Sequence, residues 1–306
     1  MDLDKRQWAE EWLAELKIDP HKFPPIYPSD AICGHVTSQA ARETGLAEGT
    51  PVIIGSGDLA SAALGSGVND DSFSLTLGTA GQLLATGQPG MGRQLAGKLF
   101  VFAHGDPSKE LYLGSVPAGG FSFEWFAKLH NMTMAQFFQE ASRCDLSMEL
   151  PSYIPYILGK GAPYMDYHPN GAFLEISANH TLGQFCLATI FGTLCPLRQC
   201  ADLLESLSYP RKNIVLQALA CRESCVRNAA GALFPQDKLL PGNSEASLLG
   251  AAIIGATALG AYPTMTTAEE SMVKNVPCDL PKRAVAQEMF QHFLKVANHI
   301  NQFSFN

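Results

Sequence analysis

Charge is scarce in this chain. Only 16% of its 306 residues are Asp, Glu, Lys or Arg, and acids outnumber bases 29 to 21, a net charge of -8. Proteins that grip a phosphate backbone carry a basic footprint, so nucleic acid is not an expected partner. A small anionic ligand stays open, because backbone amides can hold one without net positive charge. No apolar run reaches the ~20 residues that span a bilayer. The opening MDLDKRQWAEEW is too polar for a secretory leader. A cytoplasmic protein with no membrane partner is expected. GxxxxGKS and GxxxxGKT, HExxH, CxxC and GxSxG are all absent, and Gly55-Ser56-Gly57 lacks the continuation of a GxGxxG fingerprint. The 8 cysteines lie in a chain far longer than the small secreted domains that disulfides staple. Reduced thiols are expected. Cys221 and Cys225 lack a second ligand pair at metal spacing, and buried small side chains are the better reading. No residue is assigned to a metal.

What is plentiful is core. Hydrophobic residues make up 46% of the chain, and a length prior of roughly 100–200 residues per domain suggests two domains. The spacing of Trp8, Trp12, Leu13 and Leu16 predicts a helix over 3–17. A short helix follows Ser38 and ends at Gly45. Residues 51–54 read as a buried strand. Residues 73–77 and 82–86 read as two strands joined by Gly78-Thr79-Ala80-Gly81. Leu111-Tyr112-Leu113 is another strand, leading to Ala118-Gly119-Gly120 and a helix carrying Phe123, Trp125, Phe126 and Leu129. A long helix spans about 181–207, and Pro196 should kink or split it. Residues 214–216 form a strand, 247–260 a buried small-residue helix, and 283–300 a last amphipathic helix. Strands and helices mix throughout, so the class is α/β. No fixed-period repeat or low-complexity tract is present.

The chemistry-bearing stretch is GSGDLASAALGSG, residues 55–67, directly after Val52-Ile53-Ile54. An acid at a strand end, walled by glycines, suits a general base that a hydroxyl must approach closely. Asp after Gly is equally common in plain turns. The turn at 78–81 could cradle phosphate through its amides and the Thr79 hydroxyl, or be a bare hairpin turn. The same holds for Gly119-Gly120. His180, at a helix start, reads as a capping or packing residue.

The order of these segments resembles the FGGY carbohydrate kinases, and within them the xylulokinase-like members. Gly55-Ser56-Gly57-Asp58 resembles the family's GGGD, and Leu77-Gly78-Thr79-Ala80-Gly81 its LGTSG. Ala118-Gly119-Gly120 with Trp125 resembles AGG…W. Tyr153 to Tyr156, Gly171-Ala172-Phe173 and His180-Thr181 resemble PYL…GAF…HT, and Gly250-Ala251-Ala252 the closing GAA. The resemblance implies a ribonuclease-H-like, actin-like ATPase fold. Residues 1–68 would be the end of the family's first domain, 69–265 its ATP-binding second domain, and 266–306 a helical tail. It further implies a sugar or polyol kinase using ATP and Mg2+, with Asp58 as the base. Gly78, Thr79, Gly81, Gly119, Gly120, Ala220, Cys221 and Ser224 would line the nucleotide side. Several positions depart from the family. Its GER is Gly159-Lys160-Gly161 here, an arginine and a glutamate on the long helix are Leu187 and Phe191, and its GGG turn is replaced by Ala218-Leu219-Ala220-Cys221. The family's N-terminal DxGT has no counterpart. The resemblance therefore implies a partner, either a separate N-terminal half or a second copy. The alternative is a non-catalytic actin-like relative that binds nucleotide or protein.

Overall fold

The computed structural model describes residues 1–207, 211–280 and 284–300, with Cys221 and Ala284 described by backbone alone. The first stretch holds α1 (Glu10–Glu15), β1 (Ile32–His35), α2 (Ser38–Thr44), β2 (Pro51–Ile53) and α3 (Asp58–Ser66). Then come β3 (Ser72–Leu77), β4 (Gly81–Gly87), β5 (Phe100–Ala103), β6 (Glu110–Val116), α4 (Gly120–Leu129), α5 (Met134–Ser142), β7 (Ser152–Ile154) and β8 (Ala172–Leu174). The rest is α6 (Leu182–Ser206), β9 (Asn213–Ala218), α7 (Leu219–Arg222), α8 (Ser224–Leu233), β10 (Asp237–Pro241), α9 (Ala246–Ala258), α10 (Met265–Met272), β11 (Asn275–Cys278) and α11 (Ala284–Ile300).

A seven-stranded sheet in the order β11-β10-β9-β3-β4-β6-β5 organises the molecule. β3 is its pivot. It runs antiparallel to β4 and parallel to β9, which in turn runs parallel to β10. Strands covered on both faces carry near-continuous apolar runs, and Phe73, Leu75 and Leu77 of β3 are fully buried. The polar Ser74 among them accepts a hydrogen bond from Gln217 Nε2 at 2.9 Å. α6 lies in the same core and is capped by Thr181 rather than His180, with Thr181 and Gln184 forming a reciprocal box. Pro196 does not split it. Interior proline costs about 3 kcal/mol, and burial of the helix from Cys186 to Cys200 outweighs that. The hydroxyls of Thr189 and Thr193 fold back onto the carbonyls four residues earlier. α11 brings Phe290, Phe293 and Ala297 into this core, and β11 closes one edge of the sheet.

α3 and α9 pack backbone to backbone. A Cβ on Gly65 would lie 1.9 Å from the Ala246 carbonyl oxygen, and one on Gly250 would lie 1.8 Å from that of Ser61. α9 is buried along one face only. Ile253 and Ile254 are covered while Leu248 stands 68% exposed, so the uniformly buried helix expected from its small residues is not found. The other face of α3 sets Leu59, Ala60 and Ala63 against Leu84 of β4 and Leu111 and Leu113 of β6.

The first sixty residues behave differently. The helix expected over 3–17 is reduced to α1, whose Trp12 is 70% exposed. A helix this short is marginal without a surface to pack on. Trp8 instead turns back, donating to the Pro24 carbonyl at 2.7 Å and lying against the Phe23 ring. α2 forms as expected, with Thr37 rather than Ser38 accepting at its start and Gly45 in the left-handed region at its end. β2 is not buried: Val52 faces outward, because β2 pairs with β1 alone. The seven cysteines with described side chains are all free thiols, and Cys186, Cys195, Cys200 and Cys225 are buried.

Candidate active site

The β3–β4 turn is held from below by the start of α4. Gly120 N donates to the Gly78 carbonyl at 2.7 Å, and Phe121 N donates to that of Thr79 at 3.1 Å. The approach is too close for side chains. A Cβ on Gly119 would sit 2.2 Å from Gly81 N, and one on Gly120 would sit 2.6 Å from Gly78 O. Gly119 and Gly120 are thus required by the chain's own packing. Gly81 is confined by Leu197, 3.0 Å from its would-be Cβ. Gly78 is open, and Thr79 at the tip is exposed. Among the described residues nothing hydrogen-bonds the Thr79 hydroxyl. The turn therefore presents a free hydroxyl and a small-residue rim at the end of a buried strand.

β9 ends beside it, with Leu77 of β3 opposite Ala218. Ala218 adopts φ 53 and ψ -125, a backbone that L-residues avoid and glycine accepts. This is the position where the resemblance placed a glycine turn, so the turn keeps a glycine-type path although the residue is alanine. Leu219 fills the adjoining space, its Cδ1 3.1 Å from the would-be Cβ of Gly120. Ala220 is fully buried in the core, so its side chain offers nothing to a ligand. The Cys221 side chain lies outside the described residues. Ser224 opens α8 and lines a cavity of about 140 Å3 with Leu187, Cys144 and Asn228.

Asp58 is the first residue of α3. Gly55 before it takes φ +73, which directs the chain from β2 into the helix. The carboxylate is exposed and accepts from its neighbour Leu59 N at 2.8 Å. The Asp58 carbonyl accepts from Ser247 Oγ of α9 at 3.3 Å. Behind the glycines, Gly55, Ser56, Gly57 and Ala60 line a cavity of about 310 Å3 shared with His104 and Gly105. His104 is buried, and burial pushes its pKa down to about 4, so the ring is neutral. Among the described residues the structure joins Gly78 to Gly81, Gly119, Gly120 and the 218–220 turn into one constellation. No hydrogen bond among the described residues links Asp58 or Ser224 to it.

Lys160, in place of the glutamate of the family's GER, is a structural residue. It is buried and paired to Asp166 at 3.0 Å. Hydrogen bonds from His168 and from Lys160 hold the Asp166 carboxyl well below the usual carboxylate range. Gly159 takes φ +88, and a Cβ on Gly161 would strike the Ser115 carbonyl oxygen at 2.1 Å. Sequence reading missed Ser247 and Leu219. Their only signal was position: just before the GAA of α9, and inside the departed glycine turn.

The strand order defines the class first. β3, β4 and β6 form an antiparallel set, extended by β5, while β9 and β10 add parallel strands on the other side of β3 through helical crossovers. This is the ribonuclease-H-like arrangement of actin-like ATPases, with the tight turn between its first two strands. The chain belongs to the FGGY family of carbohydrate kinases: the family's N-terminal domain model matches residues 1–65 and its C-terminal domain model residues 103–259. The chain is 25% identical over 277 residues to a xylulose kinase of Lactococcus lactis, covering 89% of this chain and 55% of that relative. It superposes on the crystal structure of a xyloylose kinase from Brucella ovis with a TM-score of 0.89 at 21% identity, over 99% of this chain and 63% of that one. The gluconate kinase from Lactobacillus acidophilus gives a TM-score of 0.86 at 20% identity, over 99% and 63% of the two chains. The chain thus spans little more than half the length of the curated relative it matches. Among the described residues no helix is long and apolar enough to cross a membrane.

Proposed function

We propose that this chain forms the ATP-binding half of a kinase that phosphorylates a hydroxyl of a sugar or polyol. The observation that carries this reading is the Gly78–Gly81 turn, docked on α4 through side-chain-free contacts with its Thr79 hydroxyl open. Such turns bind phosphate oxygens through amides and hydroxyls. ATP, accompanied by Mg2+, would supply the phosphoryl group. Among the described residues no cluster of His, Cys, Asp or Glu is built to hold a metal ion alone, so the chain's own fit is to the phosphates. Gly78, Thr79 and Gly81 would orient them, with Gly119 and Gly120 keeping the turn in place. Ala220, Cys221 and Ser224 would bound the nucleoside side, Ala220 through its backbone. Asp58, exposed and free of side-chain partners among the described residues, would hold the acceptor hydroxyl and take its proton. Phosphoryl transfer of this kind is mostly positioning and charge stabilisation.

Residues 1–68, 69–265 and 266–306 are proposed as first-domain end, nucleotide domain and tail. The exposed apolar face of residues 1–54 is proposed to pack against a first-domain polypeptide or a second copy, in the cytoplasm. The test is calorimetric titration of the chain with Mg-ATP, followed by turnover assays with sugars and polyols. Micromolar to millimolar binding, weakened in Thr79→Val, supports the nucleotide assignment. Turnover abolished by Asp58→Asn supports the base. No nucleotide binding would sink the reading and leave a non-catalytic, protein-binding relative.

A further inference from the structure

The far end of α3 meets a cavity rich in carboxylates. It has a volume of about 400 Å3 and is lined by Gly67, Asp70, Asp71, Lys109, Glu269 and Glu270 among others. Its charges do not balance. Asp71 is matched by Lys212 at 3.1 Å. Asp70 has a long contact from Thr86 Oγ1 at 3.4 Å, and Glu270 makes no ion pair with the described residues. Lys109 is the one basic residue in the wall. Three carboxyls, of Asp70, Glu269 and Glu270, thus face one ammonium.

Glu269 is the informative member. It is 5% exposed, and Oε1 is sealed from solvent with no hydrogen-bond partner among the described residues. An uncompensated buried carboxylate is expensive. Burial, opposed in part by Lys109 and reinforced by Asp106, Glu270 and Asp70, pushes its pKa up to about 7. The backbone adds to the same sign. α3 ends at Gly67, and α10 carries Glu269 in its last turn, so two helix C-termini border the cavity. Helix C-termini favour positive charge.

We propose that this cavity binds an organic cation carrying primary ammonium groups, with Glu269 as the central acceptor and Asp70 and Glu270 as flanking ones. A single metal ion is the poorer fit, because the described residues hold no converging set of three such ligands. A dication of a few carbons fits within the cavity and matches the excess of two carboxyls. This site lies at the opposite end of α3 from Asp58, and its assignment does not depend on kinase activity.

The test is calorimetric titration of the chain with 1,4-diaminobutane at low salt, with magnesium chloride in a separate arm. Diamine binding in the millimolar range or tighter, weakened at least ten-fold in Glu269→Gln and also in Asp70→Asn, is the expected result. Glutamine keeps the shape and removes a buried charge, so the Glu269→Gln chain folds, and its melting curve checks this. Absence of diamine binding, affinity in both variants equal to that of the parent chain, or magnesium binding that excludes the diamine would each overturn the proposal.

Discussion

Among the first sixty residues one side chain, Val36, is buried, whereas in β3 alone five of six are. Composition does not explain the contrast. Trp12, Leu16, Tyr27, Ile32, Leu46, Val52 and Ile54 are as apolar as anything in the sheet, yet all are more than a third exposed. What differs is the number of surfaces available. β2 has one neighbour strand, while β3 has two neighbours and helices packed beside it. A large exposed apolar surface marks an interaction site. The lesson is that an apolar pattern states what a segment can bury, and neighbours decide whether it does.

The largest expected effect that would break this comparison is a paired truncation. Phe123 is fully buried and stacks on Phe137 at 5.4 Å. Phe123→Ala is expected to cost about 3–5 kcal/mol by denaturant unfolding. Trp12→Ala should stay within about 0.5 kcal/mol, as surface changes do. Equal costs would mean that the first region has a core after all.

Two glycine substitutions sharpen it further. Gly250→Ala drives a Cβ into the Ser61 backbone, and a loss of about 3 kcal/mol is expected because neither helix axis can yield cheaply. Gly34 has nothing within 4 Å of its would-be Cβ. Gly34→Ala should leave the melting temperature unchanged.

Burial also brings a cost that the first region never meets. Glu269 titrates near 7 in the fold against 4.5 for the free side chain. Its contribution is fully present below pH 4.5 and is lost as pH rises through 7. Glu269→Gln should match the parent at pH 4 and exceed it by about 3 kcal/mol at pH 8, from the size of the shift. Parallel stability–pH curves would reject this.

The smallest effect concerns backbone strain. Ala218 pays for its positive φ, and Ala218→Gly should raise stability by about 1 kcal/mol. The same change clears a methyl from the turn, so Mg-ATP affinity measured in parallel should not fall.

Much of this was legible beforehand. The alternation in residues 73–77, the turn at 78–81 and the short helix ending at Gly45 each follow from local chemistry, and the structure has them. The order of glycine turns around Asp58 pointed to the family. The misses have physical reasons. Pro196 inside α6 was overridden by burial on nearly every side. The helix over 3–17 shrank because its apolar face found nothing to cover it. The left-handed backbone at Ala218 is invisible in the residue name. Leu219 over Gly120 could be seen only once β3 and β9 were side by side.

The contact between Gly65 and α9 has a mechanical consequence. With two backbones touching, and with Leu59 and Ala63 seated on the sheet, α3 cannot swing without dragging α9 along. The pair acts as one stiff lever bolted to the sheet. Any opening or closing of residues 1–54 against the rest must therefore bend upstream of it, at Gly55 to Gly57, where a would-be Cβ meets no obstacle at either glycine. Asp58 would then ride with the 78–81 turn through every such movement.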